Sequence, residues 1–133
     1  MHRIRGELGA EEAASAYDAE LREMQPSFVL LGLGPDGHTA SLFPHAPTLQ
    51  ERDRLAVAAA PGLEPFVERV TLTLPALASA ETVLFLAVGT DKADAVRRAF
   101  SEPPDPGTPA SLVRSASGRT LAVVDRAATG ESD

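Results

Sequence analysis

Two apolar runs that end in glycine constrain this chain more than any other feature. They are SFVLLGLG, residues 27–34, and TVLFLAVG, residues 82–89. Neither alternates polar with apolar, so each reads as a strand buried on both faces, the kind that parallel sheets contain. Helical segments separate them. Residues 9–24 carry Ala13, Tyr17, Leu21 and Met24 at helical spacing, with Glu11 and Glu12 near the start and Pro26 as the stop. Residues 90–100 place Ala93, Val96 and Phe100 on one helical face, with Thr90 or Asp91 as the cap. Strands separated by helices predict an α/β fold with a mostly parallel sheet flanked by helices.

Weaker signals fill in the rest. LAVAAAP (55–61) and residues 69–73 read as strands, ALASA (76–80) as a short helix, and residues 120–125 as a last strand. HTASLFP (38–44) and PASLVR (109–114) each read as a helical turn. Residues 48–54 read as polar and exposed. Residues 62–65 and the Pro-rich 101–109 read as loops, and the tail 126–133 as frayed. At 133 residues, with no repeat or linker, residues 1–133 read as a single domain.

Composition limits the partners. The net charge of −7 argues against nucleic acid and against an anionic membrane surface. The oligomeric state stays open. There is no cysteine, which rules out disulfides and thiolate metal sites and fits a reducing compartment. The N-terminus shows no apolar run of a signal peptide, so the expected location is cytoplasmic.

In parallel sheets, ligands sit beyond the carboxyl ends of strands. Two segments qualify: the loop 34–38 and the turn 89–92. The loop spells G-x-G-x-x-G at Gly32, Gly34 and Gly37, with Pro35, Asp36 and His38 in and after it. As a dinucleotide site it is poor. Pro35 removes a donor N–H, and Asp36 brings negative charge to where phosphates would lie. As plain structure it is a tight Pro-Asp-Gly turn. As a catalytic element it offers His38 to take a proton from water and Asp36 to orient the imidazole. A metal site from Asp36, His38 and His45 has too few ligands at too loose a spacing, so none is expected. Arg97, Arg98 and Arg114 read as exposed charges. Thr39 and Ser41 read as caps for the next turn, not nucleophiles, and the nucleophile-elbow pattern is absent.

The stretch LLGLGPDGHTASLFP (30–44) resembles the signature of 6-phosphogluconolactonases, in the family that also holds glucosamine-6-phosphate isomerases. The likeness continues through VERVTLTLPALASAETVLFLAVGTDKADAVRRAF and PASLVR, covering nearly the whole chain. The resemblance implies a Rossmann-like sugar-phosphate isomerase/lactonase fold. It implies hydrolysis of 6-phosphoglucono-δ-lactone to 6-phosphogluconate, in the pentose phosphate pathway, without an organic cofactor. It makes His38 the general base and Asp36 part of the same site. The backbone around Gly34 to Gly37 becomes a candidate oxyanion donor, and Lys92 the contact to the substrate phosphate. Gly89 and Thr90 form the turn that carries Lys92, and Arg69 assists with the anion. The isomerases resemble DGHIAFNEP, with a glutamate five residues after the histidine; here that position is Phe43, which suits hydrolysis and not ring opening.

The resemblance begins late. Family members are longer, and their first strands, a Gly/Ser-rich phosphate loop and an Asp-Glu-Arg segment have no counterpart here. The expectation is a C-terminal portion of such a domain, from a fragment or a late start codon, with an exposed strand edge and part of the site absent. Two other functions are weighed beside the lactonase: a non-catalytic phosphosugar-binding module and a dinucleotide-binding domain.

Overall fold

The computed structural model describes residues 1–62 and 65–131. Two positions of the expected 62–65 loop, and the end of the expected tail, lie outside the described residues. Helix α1 (Ala10–Glu23) has Glu11 and Glu12 in the first turn and Arg22 in the last, as the helix dipole favours. It buries Ala13, Ala14 and Leu21 against strands β2 (Ala56–Ala59) and β3 (Arg69–Leu72). These two strands pair antiparallel, with Ala56 opposite Leu72. Asp18 joins helix to sheet: its carboxylate accepts from the Leu55 N–H at 2.6 Å and from Arg22 Nε at 3.0 Å. Burial pushes the Asp18 carboxyl up, but these donors outweigh it and hold the group below its ordinary value.

The second sheet is parallel throughout. Strand β1 (Phe28–Leu31), β4 (Thr82–Ala87) and β5 (Arg119–Val124) lie in the order β1-β4-β5. Leu30 aligns with Leu84 and Leu84 with Leu121; Leu31 aligns with Phe85. Helix α2 (Leu74–Ala78) leads into β4, and α3 (Ala93–Phe100) follows it. Thr73 starts α2 by accepting the Ala76 N–H while its hydroxyl donates to the Arg54 carbonyl. Val83 and Phe85 pack with Leu77, Ala80, Ala95 and Ala99 in one buried cluster. The Phe85 and Phe100 rings meet edge to face at 5.1 Å.

Several expectations from sequence need correcting. The β1 and β4 strands are buried on one face only. Phe85 is fully buried, yet Leu30 is 60% exposed and Phe28, Leu86, Leu121 and Val123 are exposed too. Strand alternation puts one set of side chains into the cluster and the next set on the opposite face. Residues 39–42 form a tight turn closed by a Thr39–Leu42 bridge, not a helical turn. Residues 48–54 are not wholly exposed: the 3₁₀ turn Pro47–Gln50 buries Leu49. The first part of the tail folds back as a 3₁₀ turn, Ala127–Thr129, with Ala128 fully buried. Neither Thr90 nor Asp91 caps a helix with its side chain; Gly89 and Lys92 hold the N-cap positions. Arg114 is not a free surface charge, since it donates to the Ala99, Ala110 and Val113 carbonyls.

Candidate active site

The loop after β1 and the turn after β4 meet at the carboxyl end of the parallel sheet. They line a cleft of ≈ 600 Å³ with Gly34, His38, Thr39, Leu86 and Lys92. The parallel pairing of β1 with β4 produces this meeting, because it brings both strand ends to the same edge.

His38 and Asp36 form a pair. Asp36 Oδ1 stands 2.6 Å from His38 Nδ1 and also accepts the His38 backbone N–H at 3.1 Å. Partial burial pushes the Asp36 carboxyl up, but the hydrogen bonds from His38 win and hold it below its ordinary value. An ionised carboxylate only accepts, so Nδ1 carries the proton in the neutral ring and Nε2 is the nitrogen left to take one. The Phe43 ring lies 5.3 Å from the imidazole, so the neighbour of His38 at this position is apolar.

The glycines serve the pair. A Cβ on Gly34 would lie 2.1 Å from His38 Nδ1 and 2.7 Å from Asp36 Oδ1. Only a residue without a side chain lets the imidazole lie so close to the backbone. Gly37 has φ 92°, which L side chains rarely adopt. Two of the loop amides expected to face an oxyanion are engaged within the loop. Gly34 donates to the His38 carbonyl and Gly37 to the Gly34 carbonyl, both at 2.9 Å, and Pro35 has no N–H to offer. No helix begins at this loop, so the helix N-terminus that a dinucleotide pyrophosphate needs is missing.

Lys92 reaches across from the second turn and donates from Nζ to the Leu33 carbonyl at 2.7 Å. One of its three N–H bonds is thereby used at the cleft wall. Gly89 and Thr90 stand in the turn that carries it. The Gly89 N–H donates to Asp125 Oδ1 at 3.0 Å, and Asp125 also accepts from Ala128. Arg69 lies on β3. Its Nη2 donates to the Pro65 carbonyl and its guanidinium lies 5.8 Å from the Phe43 ring, the same ring that the His38 imidazole approaches. Thr39, read from sequence as a cap, is buried and donates to the Gly32 carbonyl. Among the described residues, no cluster of three or more His, Asp or Glu side chains is placed to hold a metal ion.

Sequence reasoning passed over Arg98 and Asp125. Arg98, read as an exposed charge, donates to Asp94, to Thr108 and to the Pro35 carbonyl of the loop. Its place two turns after Lys92 in a helix gave no signal of that reach. Asp125, at the end of the last strand, gave a positional one, since strand ends border the site.

With this geometry in view, the chain matches the family described as "Glucosamine-6-phosphate isomerases/6-phosphogluconolactonase" over residues 1–122. The chain belongs to this family. Among family members, the 6-phosphogluconolactonase of Homo sapiens is 42% identical over 132 residues, which is 94% of this chain and 51% of the relative. The lactonase of Streptomyces coelicolor is 41% identical, covering 92% of this chain and 47% of the relative. The three-dimensional structure of the Trypanosoma brucei 6-phosphogluconolactonase superposes with a TM-score of 0.80 at 28% identity, over 90% of this chain and 52% of that one. The chain thus spans about half the length of the curated relatives it matches. The α/β fold read from sequence is that of the family.

Proposed function

We propose that this chain carries the water-activating part of a 6-phosphogluconolactonase and that residues 1–133 are the C-terminal portion of such a domain. The observation that carries this reading is the Asp36–His38 pair at 2.6 Å beside a cleft that also holds Lys92. The identity to lactonases supports the substrate class, 6-phosphoglucono-δ-lactone. Phe43 supports hydrolysis over isomerisation, because the site has a ring where the isomerase motif has an acid.

The steps follow from the atoms available. His38 Nε2 takes a proton from water as the oxygen attacks the lactone carbonyl. Asp36 holds the ring by Nδ1 and stabilises the imidazolium that forms. The tetrahedral intermediate carries a negative oxygen. With the Gly34 and Gly37 amides engaged, the spare N–H bonds of Lys92 are donors at the cleft for that charge or for the phosphate. Collapse breaks the ring C–O bond, and the imidazolium returns its proton to the departing alkoxide. The product acid then ionises. No organic cofactor or metal enters this sequence. Action in the pentose phosphate pathway and a cytoplasmic location are parts of the same proposal. A phosphosugar-binding module without turnover is the second reading; its supporting observation is the half-length match to the relatives.

The test is hydrolysis of fresh 6-phosphoglucono-δ-lactone by the chain, with spontaneous hydrolysis subtracted and His38→Ala alongside. Turnover that disappears in the variant is expected. Equal turnover in both would sink the role of His38. A folded chain that binds 6-phosphogluconate saturably with no turnover would favour the binding module.

A further inference from the structure

We propose that Arg98 is the positioning residue of the Asp36–His38 pair, setting the loop from α3 through the Pro35 carbonyl. The kinetic consequence rests on the hydrolytic reading above; the structural consequence does not.

Arg98 uses its planar fork in three directions. Nε donates to Asp94 Oδ2 at 2.7 Å, Nη1 to Thr108 Oγ1 at 2.8 Å and Nη2 to the Pro35 carbonyl at 3.0 Å. Asp94 also accepts from Arg97 at 2.6 Å, so one carboxylate joins both arginines on α3. The fork also lies against the loop's left-handed corner. A Cβ on Gly37 would come within 3.2 Å of Arg98 Nη1 and 2.9 Å of Thr108 Cγ2.

The loop is therefore tied on both sides of Asp36. Arg98 holds the Pro35 carbonyl before it, and the Ala110 N–H holds the Gly37 carbonyl after it at 3.0 Å. With the backbone held before and after it, the Asp36 side chain starts from a set frame, and the His38 ring takes its orientation from that carboxylate. The side chain of Arg98 is about three-quarters buried; its bond to Thr108 is partly shielded, while those to Asp94 and Pro35 lie at the surface. A lysine offers a point charge without a fixed fork and cannot reproduce the three directions.

The experiment follows the His38 ring by NMR in chains labelled with ¹⁵N-histidine, for Arg98→Met, Arg98→Lys and Thr108→Val. In the parent, the Nδ1 proton gives a low-field resonance. In Arg98→Met that resonance is lost to solvent exchange, and the Gly37 amide exchanges at least about tenfold faster while the Val83 and Phe85 amides keep their protection. Arg98→Lys does not restore it. Thr108→Val, which removes one acceptor and leaves the arginine, quickens Gly37 exchange to a smaller extent and decides the matter if Arg98→Met fails to fold. An unchanged Nδ1 resonance and Gly37 amide in a folded Arg98→Met, or unchanged Gly37 exchange in Thr108→Val where that variant must decide, would overturn the proposal. With lactone, kcat falls by up to ~10²-fold with KM nearly constant; a raised KM at constant kcat would count against positioning. A parent chain without turnover would remove the hydrolytic reading alone, since the NMR comparison stands without it.

Discussion

Asp36 grips His38 twice with one oxygen: Oδ1 meets the imidazole Nδ1 at 2.6 Å and the backbone N–H of the same residue at 3.1 Å. The carboxylate thus fixes both the ring and the peptide that carries it. Asp36→Asn keeps the shape of this contact but removes the charge that fixes the tautomer and stabilises the imidazolium. We expect kcat for lactone hydrolysis to fall by ~10²–10⁴-fold, with a smaller change in KM, measured by steady-state kinetics. A fall confined to KM would contradict the assigned role.

Gly34 and Gly32 make a matched pair of substitutions. A methyl group on Gly34 collides with the His38 ring, whereas one on Gly32 meets nothing within 4 Å. Gly34→Ala should displace the imidazole, abolish the low-field Nδ1 proton resonance and destabilise the chain by about 1–3 kcal/mol. Gly32→Ala should leave the resonance in place and melt like the parent. Thermal melts with histidine NMR check both, and indistinguishable variants would refute the close-approach argument.

Lys92 is held by the Leu33 carbonyl and keeps spare N–H bonds at the cleft. Lys92→Met preserves much of the stem and removes the charge. Affinity for 6-phosphogluconate, read by calorimetry, should weaken by about 10- to 100-fold and lose most of its salt dependence. Unaltered affinity would assign the phosphate to other groups.

Acid stability reports on Asp18. Its carboxyl sits below its ordinary value of 3.8 in the folded chain. A depressed carboxyl contributes stability that is fully present above the unfolded value and is lost as pH falls through the folded one. Asp36 behaves in the same direction, and so does Glu51, lowered to about 2 by the Arg54 guanidinium and neighbouring N–H groups. Denaturation followed by circular dichroism should therefore show stability falling from the ordinary carboxyl range down toward pH 2. Asp18→Asn should cost about 1–2 kcal/mol at neutral pH and flatten part of that slope; an unchanged slope would show that the α1 anchor is not ionic.

The outer face of the parallel sheet is apolar and exposed at Leu30, Leu86, Leu121 and Val123. A dye such as ANS should bind there, and Leu30→Lys should reduce its fluorescence while shifting the melting point little, since little burial is lost. Undiminished dye binding would place the bound surface elsewhere.

Much of the architecture was legible beforehand. The apolar runs before Gly34 and Gly89, the helical spacing of Leu21 with Ala13 and Tyr17, and the alternation in residues 69–73 all became elements of the expected type. These signals are local, so the sequence carries them directly. The motif around Asp36 and His38 was legible as a pair of candidates, since both stand in one glycine turn after a strand; that their side chains meet at 2.6 Å was not. The misreadings had non-local causes. Residues 39–42 look helical by composition but close as a tight turn, with the buried Thr39 hydroxyl tied to Gly32. Leu49 and Ala128 sit in polar stretches and are buried by elements distant in sequence.

By itself, then, the sequence determined the α/β class and the strands that carry the site, and it offered Asp36 and His38 as candidates. These follow from side-chain period and from chemistry within a few residues. Only the tertiary structure decided that Lys92 arrives at Leu33, that Arg98 reaches Pro35 from α3, that the Arg69 guanidinium meets the Phe43 ring, and that the parallel sheet is buried on one face. Those facts depend on contacts between residues far apart in the chain. Such contacts are set by strand order and packing, and no periodicity in the sequence encodes them.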